Sequence, residues 1–185
     1  METKRKPVVR ETPMSEKIRV VFLDIDGVLN SFAEDRRRTV KQTRLNNRED
    51  VTFAEMWCPE EVPSKNLITL VNAFPNVQVV ISSTWRHQCK SAYIWECLLY
   101  AAGGRVSPIS VHFNDPCTPR TDGCRGDDID DWLMKHYDSV ESFVILDDDA
   151  DMEPYMDRLV QTDGDVGLTE ADVVKAIEIL GTEWK

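Results

Sequence analysis

Asp24 and Asp26 stand on alternate positions after the apolar run Val20-Val21-Phe22-Leu23, and Gly27 follows them. In an extended chain, residues two apart point the same way, so the two carboxylates start out facing one place. Ile25 between them can stay in a core, and Gly27 permits a turn that side chains resist. Carboxylates ending a buried strand are costly unless a cation, a proton or a substrate compensates them. Two further apolar runs end in a similar way. Val77 to Ile81 leads into Ser82-Ser83-Thr84-Trp85-Arg86, and Ser142 to Leu146 leads into Asp147-Asp148-Asp149. In open α/β sheets, ligands bind just beyond the carboxyl ends of the strands. An acidic pair, hydroxyls and a second acidic pair at such ends can share one crevice. The carboxylates suit a hard cation such as Mg²⁺, which also bridges phosphate oxygens. A serine hydroxyl can donate to phosphate. A basic residue must balance the remaining charge, and Arg86, Arg120, Arg125 and Lys135 are available. Taken singly, each Asp-rich stretch also reads as an ordinary turn.

The elements that must hold these groups follow from periodicity and breakers. The first strand is expected over 18–24. Ser64 is the expected cap of a helix to about 74, with Leu67, Ile68, Leu70 and Val71 inward. Pro75-Asn76 breaks it before a buried strand over 77–81. A helix over 88–102, stopped by Gly103-Gly104, carries Tyr93, Ile94, Trp95, Leu98 and Leu99 as core. A short strand is expected within 106–113, then a loop over 114–126. A helix over 127–136 turns Ile129, Trp132 and Leu133 inward. Strands over 142–146 and 158–162 precede a last helix capped by Thr169, with Val173, Val174, Ile177 and Leu180 on its apolar face. Alternating strands and helices of this kind give an α/β fold, a mostly parallel sheet covered on both sides.

The chain has 185 residues, which fits one domain with a substantial core. Residues 1–17, with Lys4, Arg5, Lys6, Arg10 and two prolines, read as a flexible basic tail. Residues 18–185 read as the domain. A net charge of −11 argues against non-specific nucleic-acid binding by the whole surface, but leaves room for a local basic patch. The five cysteines contain no C-x-x-C pair, so a reducing cytoplasm is expected rather than a disulfide framework. Cys58, Cys117, Cys124 and His112 match no common zinc spacing, and buried or incidental thiols are the favoured reading. No apolar run approaches a membrane span, and the N-terminus lacks a signal-peptide hydrophobic region. No membrane contact is expected, and no stable protein partner can be inferred from the residues.

Residues 31–63 form a long connection after the first acidic pair. They carry Arg36, Arg37, Arg38, Lys41, Arg44 and Arg48, then Phe53, Met56 and Trp57. Connections this long are usually functional lids, binding loops or disordered segments. The basic half could hold a phosphate-bearing substrate while the aromatic half packs over the site. A solvated helix with a hydrophobic anchor is the competing reading. The segment is shorter than the ~50 residues usual for an independent domain, so it would make a small lid over an open site.

The stretch Asp24-Ile25-Asp26-Gly27-Val28-Leu29-Asn30 resembles the first motif of the haloacid dehalogenase (HAD) superfamily. Ile81-Ser82-Ser83 is similar to its second motif, Arg125 stands at the third, and Ile145-Leu146-Asp147-Asp148 resembles the fourth. The likeness runs from about 18 to 180. A narrower resemblance rests on Ser82-Ser83-Thr84-Trp85-Arg86, on Arg125-Gly126-Asp127-Asp128-Ile129 with Trp132-Leu133, and on Val160-Gln161-Thr162-Asp163 leading to Gly167-Leu168-Thr169. These look like a small HAD family linked with RNA repair, and more distantly like the phosphatase half of polynucleotide kinase-phosphatases. In those more distant relatives a lysine follows in the third-motif helix; acidic Asp130 and Asp131 lie there in this chain.

The resemblance implies a Rossmannoid three-layer sandwich with a small insertion after the first strand, and an Mg²⁺-dependent phosphatase. Asp24 would be the nucleophile, forming an aspartyl-phosphate, and Asp26 the general acid and base. Asp24, Asp26 (through its carbonyl), Asp147 and Asp148 would hold the metal. Ser82, Ser83, Arg86 and Arg125 would serve the phosphoryl group. The substrate would be a phosphorylated compound, either an RNA or DNA end or a small metabolite or nucleotide. A phospho-acceptor like a receiver domain is the non-enzymatic rival, but receivers keep their acceptor aspartate alone on a later strand. An RNA-binding module with a vestigial site is the third reading. Multiple-turnover phosphate release separates the first from the other two.

Overall fold

A computed structural model describes residues 17–33, 59–87, 117–119 and 123–184. Its elements in chain order are β1 (Ile18–Leu23), α1 (Glu61–Val71), β2 (Val77–Ile81), α2 (Arg125–His136), β3 (Val140–Asp147), β4 (Leu159–Gln161) and α3 (Glu170–Leu180). The strands are runs of Val, Ile, Leu and Phe, as expected of strands buried on both faces. They form a parallel sheet in the order β2-β1-β3-β4. Residue Cys117 adds a parallel bridge to Ile81 on the outer side of β2.

Alternation along the strands divides the core in two. Val21, Leu23, Val79, Ile81, Val144 and Leu146 pack on one face against Leu67 and Leu70 of α1 and Val173, Ala176 and Leu180 of α3. Val20, Phe22, Val80, Phe143 and Ile145 pack on the other against Ile129, Trp132 and Leu133 of α2. This is a three-layer α/β sandwich, as the HAD resemblance implies. Phe22 makes edge-on contacts with both Trp132 and Phe143, fixing α2 over the centre of the sheet.

The structure shifts several expected boundaries. α1 starts at Glu61 rather than at a Ser64 cap, and the Ser64 N–H already donates to the Glu60 carbonyl at 3.1 Å. Pro63 is tolerated because N–H groups of a first turn lack intrahelical acceptors. The helix ends at Val71, before Phe74, and Asn76 takes a left-handed φ of 61° at the turn into β2. α2 begins at Arg125, so this arginine opens the helix instead of lying in a loop. β3 includes Val140 and Asp147, and β4 is confined to Leu159–Gln161. Val174 is exposed, contrary to expectation, because Val173, Ala176 and Leu180 define the buried stripe and position 174 lies off it. Thr169 does cap α3, its hydroxyl accepting from the Asp172 N–H. The expected helix over 88–102, the strand within 106–113, the tail up to residue 16, Arg120 and the basic stretch 36–48 lie outside the described residues.

Candidate active site

The parallel register sets the site. Leu23 pairs with Ile81 on one side and Leu146 on the other. The next residues of the three strands, Asp24, Ser82 and Asp147, therefore reach the same end of the sheet, and all three are buried. The Asp24 N–H donates to the Leu146 carbonyl and the Ser82 N–H to the Leu23 carbonyl, both at 3.0 Å, so the strand ends are tied together. After Asp24 the chain turns: the Leu29 and Asn30 N–H groups bond back to the Ile25 carbonyl at 2.8 and 3.0 Å. Gly27 makes the turn with φ of 76°, and a Cβ there would lie 2.3 Å from the Asp148 carboxyl carbon. Only glycine lets the turn and the Asp148 carboxylate share this space.

Asp24, Asp147 and Asp148 each offer an oxygen within 4.8 Å of the others. The Arg125 guanidinium lies against two of them: Nη1 is 2.5 Å from Asp147 Oδ2 and 3.1 Å from Asp24 Oδ2. The other Asp147 oxygen accepts from the Asp149 N–H at 3.0 Å. Asp24 Oδ1 is buried with no hydrogen-bond partner among the described residues, and so is the Ser82 hydroxyl. Burial first, and then the Asp24 charge, push the Asp147 carboxyl up to about 8 despite the arginine. The same two causes raise Asp148. Burial alone would lower the Arg125 guanidinium, but the charges of Asp24 and Asp147 outweigh it and raise it. One guanidinium thus faces a cluster of carboxylates whose charge it does not fully balance. The donor set, all oxygen, with one buried oxygen unpartnered, fits a hard divalent cation.

Arg125 reaches this cluster because α2 starts close to the loop after β3. The Gly126 N–H donates to the Asp151 carbonyl at 3.2 Å, and a Cβ at Gly126 would lie 2.1 Å from the Glu153 carbonyl oxygen. Asp127 holds the start of the helix by accepting from the Cys124 N–H at 2.9 Å. Arg86 is placed differently. Its Nη2 pairs with Asp128 Oδ2 at 2.5 Å in a buried ion pair, and its Nη1 bonds the Ser82 and Ser83 carbonyls. It ties the end of β2 to α2. The Ser83 hydroxyl accepts from the Trp85 N–H at 3.3 Å.

Asp26 is partly exposed and sits beside the cluster. Its Oδ2 accepts from the Trp85 indole N–H at 2.8 Å and its Oδ1 from the Asn30 amide at 3.2 Å. Sequence reasoning gives neither partner a role. The signal that could have found one is that Trp85 follows β2, the strand beside the one that ends in the acidic pair. Thr162, just after β4, also contributes unforeseen: its hydroxyl donates to the Gly27 carbonyl at 2.9 Å and fixes the turn. Of the four zinc candidates, Cys117 packs on the core and Cys124 precedes α2, while Cys58 and His112 lie outside the described residues. No helix among the described residues is long and apolar enough to cross a membrane.

No curated protein and no solved structure matches the chain. One family does match, over residues 20–173, a span that contains every residue of the cluster. With the parallel sheet and the carboxylates at its strand ends, that match shows that the chain belongs to the family described as the HAD domain in Swiss Army Knife RNA repair proteins.

Proposed function

We propose that the chain is a Mg²⁺-dependent phosphomonoesterase acting through an aspartyl-phosphate on Asp24, with the terminal phosphates of RNA as its substrate class. The observation that carries this reading is the buried Asp24 carboxylate, one oxygen unpartnered, beside Asp147, Asp148 and Arg125. The carboxylates of Asp24, Asp147 and Asp148 and the backbone carbonyl of Asp26 would hold the ion. Bound there, Mg²⁺ would offset the repulsion between a carboxylate nucleophile and a phosphate dianion.

The chain's own residues do the rest. The Ser82 hydroxyl and Arg125 bind phosphoryl oxygens, with Ser83 and Arg86 supporting the loop that presents Ser82. An Asp24 oxygen attacks phosphorus, the bond to the leaving oxygen breaks, and Asp26 gives that oxygen its proton. Asp26 then takes a proton from water, whose oxygen attacks the phosphorus of the aspartyl-phosphate. Phosphate leaves and the Asp24 carboxylate is restored. Residues 31–63, running into the first turn of α1, would serve as a small lid whose arginines and Lys41 track a nucleic-acid backbone. The RNA-repair description of the family supports this substrate class over a small metabolite. A cytoplasmic setting, expected from the thiols, is compatible with it.

The test is a phosphate-release screen with Mg²⁺ and with chelator. It compares 3′-phosphate and 5′-phosphate oligonucleotides, mononucleotides and sugar phosphates. Metal-dependent turnover, fastest on an oligonucleotide and more so with a 3′ than a 5′ phosphate, is the expected result. Faster turnover of sugar phosphates replaces the RNA-end reading with a metabolite phosphatase. No turnover of any ester leaves a binding or phospho-acceptor role.

A further inference from the structure

Trp85 lies in the short 3-10 turn Thr84–His87 after β2 and is buried. Its indole N–H points at Asp26 Oδ2, while Asn30, in the turn after the acidic pair, donates to Oδ1. Both Asp26 oxygens are therefore held, by two different kinds of group. An indole N–H can donate and never accept. An asparagine amide can present either its NH₂ or its carbonyl, according to how it is turned. The two Asp26 oxygens are thus chemically distinct. A proton on Oδ2 would meet the indole N–H head-on. A proton on Oδ1 can be received by a turned Asn30 or passed to an oxygen that takes Asn30's place.

We infer that Trp85 is a positioning residue that pins Asp26 through Oδ2 and leaves Oδ1 as the proton-exchanging oxygen, with Asn30 marking where the leaving-group oxygen, and later the water, is received. This rests on the acid and base role proposed for Asp26. As Oδ1 releases its proton to the leaving oxygen, negative charge grows on the carboxylate. The Trp85 bond then becomes charge-assisted and stronger. It is worth more in the transition state than before it, which is the condition for an interaction to accelerate a step. In the second half-reaction Oδ1 takes the proton from water, and the same bond keeps the emptied oxygen aimed.

Trp85→Phe removes the N–H and keeps most of the apolar bulk. The measurement is kcat/KM, which reports steps through departure of the leaving group, for an alkyl phosphate and for nitrophenyl phosphate. With the alkyl ester, whose oxygen needs a proton, the value should fall about 10²-fold, the loss typical of a misplaced reacting group. With nitrophenyl phosphate it should fall far less. Asp26→Asn should show the same inequality in larger form. Equal losses on both esters in Trp85→Phe, with Asp26→Asn still discriminating, would overturn the role of Trp85 alone. An Asp26→Asn variant that does not discriminate would overturn the acid role and this inference with it. A second measurement does not need Trp85→Phe to fold. The Trp85 indole N–H resonance, assigned in the full chain, should move upfield in Asp26→Ala, and an unmoved resonance would show that the bond is absent.

Discussion

Arg125→Met separates the charge balance of the site from its chemistry. The Arg125 side chain is 14% exposed and its Nη1 touches both Asp24 and Asp147, so methionine would leave these two buried carboxyl groups facing each other with no cation between them. Removing one partner of a buried ion pair typically costs about 3–5 kcal/mol. Asp147 can relieve part of this by keeping a proton, since its carboxyl is already pushed up to about 8, and a tenfold change in proton affinity is worth about 1.4 kcal/mol. The expected loss in chelator near neutral pH is therefore about 3 kcal/mol, at the low end of the range for a broken buried pair. For a chain of this size that lowers Tm by roughly 6–12 °C. Mg²⁺ should restore much of it. A divalent cation at one hundred times its Kd contributes about 2.7 kcal/mol, and in the variant it would not compete with the guanidinium for Asp24 Oδ2 and Asp147 Oδ2. Thermal and urea unfolding, each with chelator and with Mg²⁺, provide the assay. A loss under about 1 kcal/mol in chelator, or an equal loss with and without Mg²⁺, would refute the view that Arg125 and the metal balance the same carboxylates.

Two further outcomes follow from the same geometry, and a third from the basic residues that follow the first acidic pair in sequence. The raised Asp147 carboxyl means that the folded, metal-free chain holds a proton that the unfolded chain has lost between about pH 4 and pH 8. Its contribution therefore lowers stability as pH rises through that window, and apparent Mg²⁺ affinity should climb over the same range; chelated Tm and calorimetric binding against pH check both. Gly126→Ala would drive a methyl group to 2.1 Å from the Glu153 carbonyl oxygen, so the first turn of α2 must shift and carry Arg125 with it. Unfolding should show a loss of about 1–3 kcal/mol, the usual range for overpacking, and kcat should fall while the circular dichroism spectrum stays native. Neutralising Arg36, Arg37 and Arg38 together should raise KM for an oligonucleotide and flatten its salt dependence, while leaving a small ester nearly unchanged; equal effects on both substrates would remove the lid from RNA binding.

The strand ends were legible in sequence because an apolar run that stops at Asp or Ser is an abrupt change of chemistry. Val77–Ile81 matched its expected bounds, and the register then brought Asp24, Ser82 and Asp147 to one end of the sheet. Helix starts were less legible. Pro63 reads as a boundary, yet it is accommodated in a first turn, and Arg125 reads as loop although Asp127 and Gly126 let the helix begin there. Side-chain partners at long range were the least legible. Trp85 and Asp26 lie 59 residues apart, and Arg86 and Asp128 lie 42 apart. Only the pairing of β1 with β2, and the packing of α2 over the sheet, bring them together. A tryptophan in a turn after a strand reads as core from composition alone. Its bond to a carboxylate depends on which way the ring faces, and periodicity carries no such information.

The proposed reaction puts a covalent bond between Asp24 and phosphorus. Acid quenching of the wild-type chain during turnover, followed by borohydride reduction and peptide mass spectrometry, tests it most directly, because an aspartyl-phosphate is reduced to homoserine at the modified position. Homoserine is expected at position 24, formed only when both phosphomonoester and Mg²⁺ are supplied and absent from Asp24→Asn. Homoserine at another aspartate, or continued phosphate release by Asp24→Asn with no trapped adduct, would contradict it.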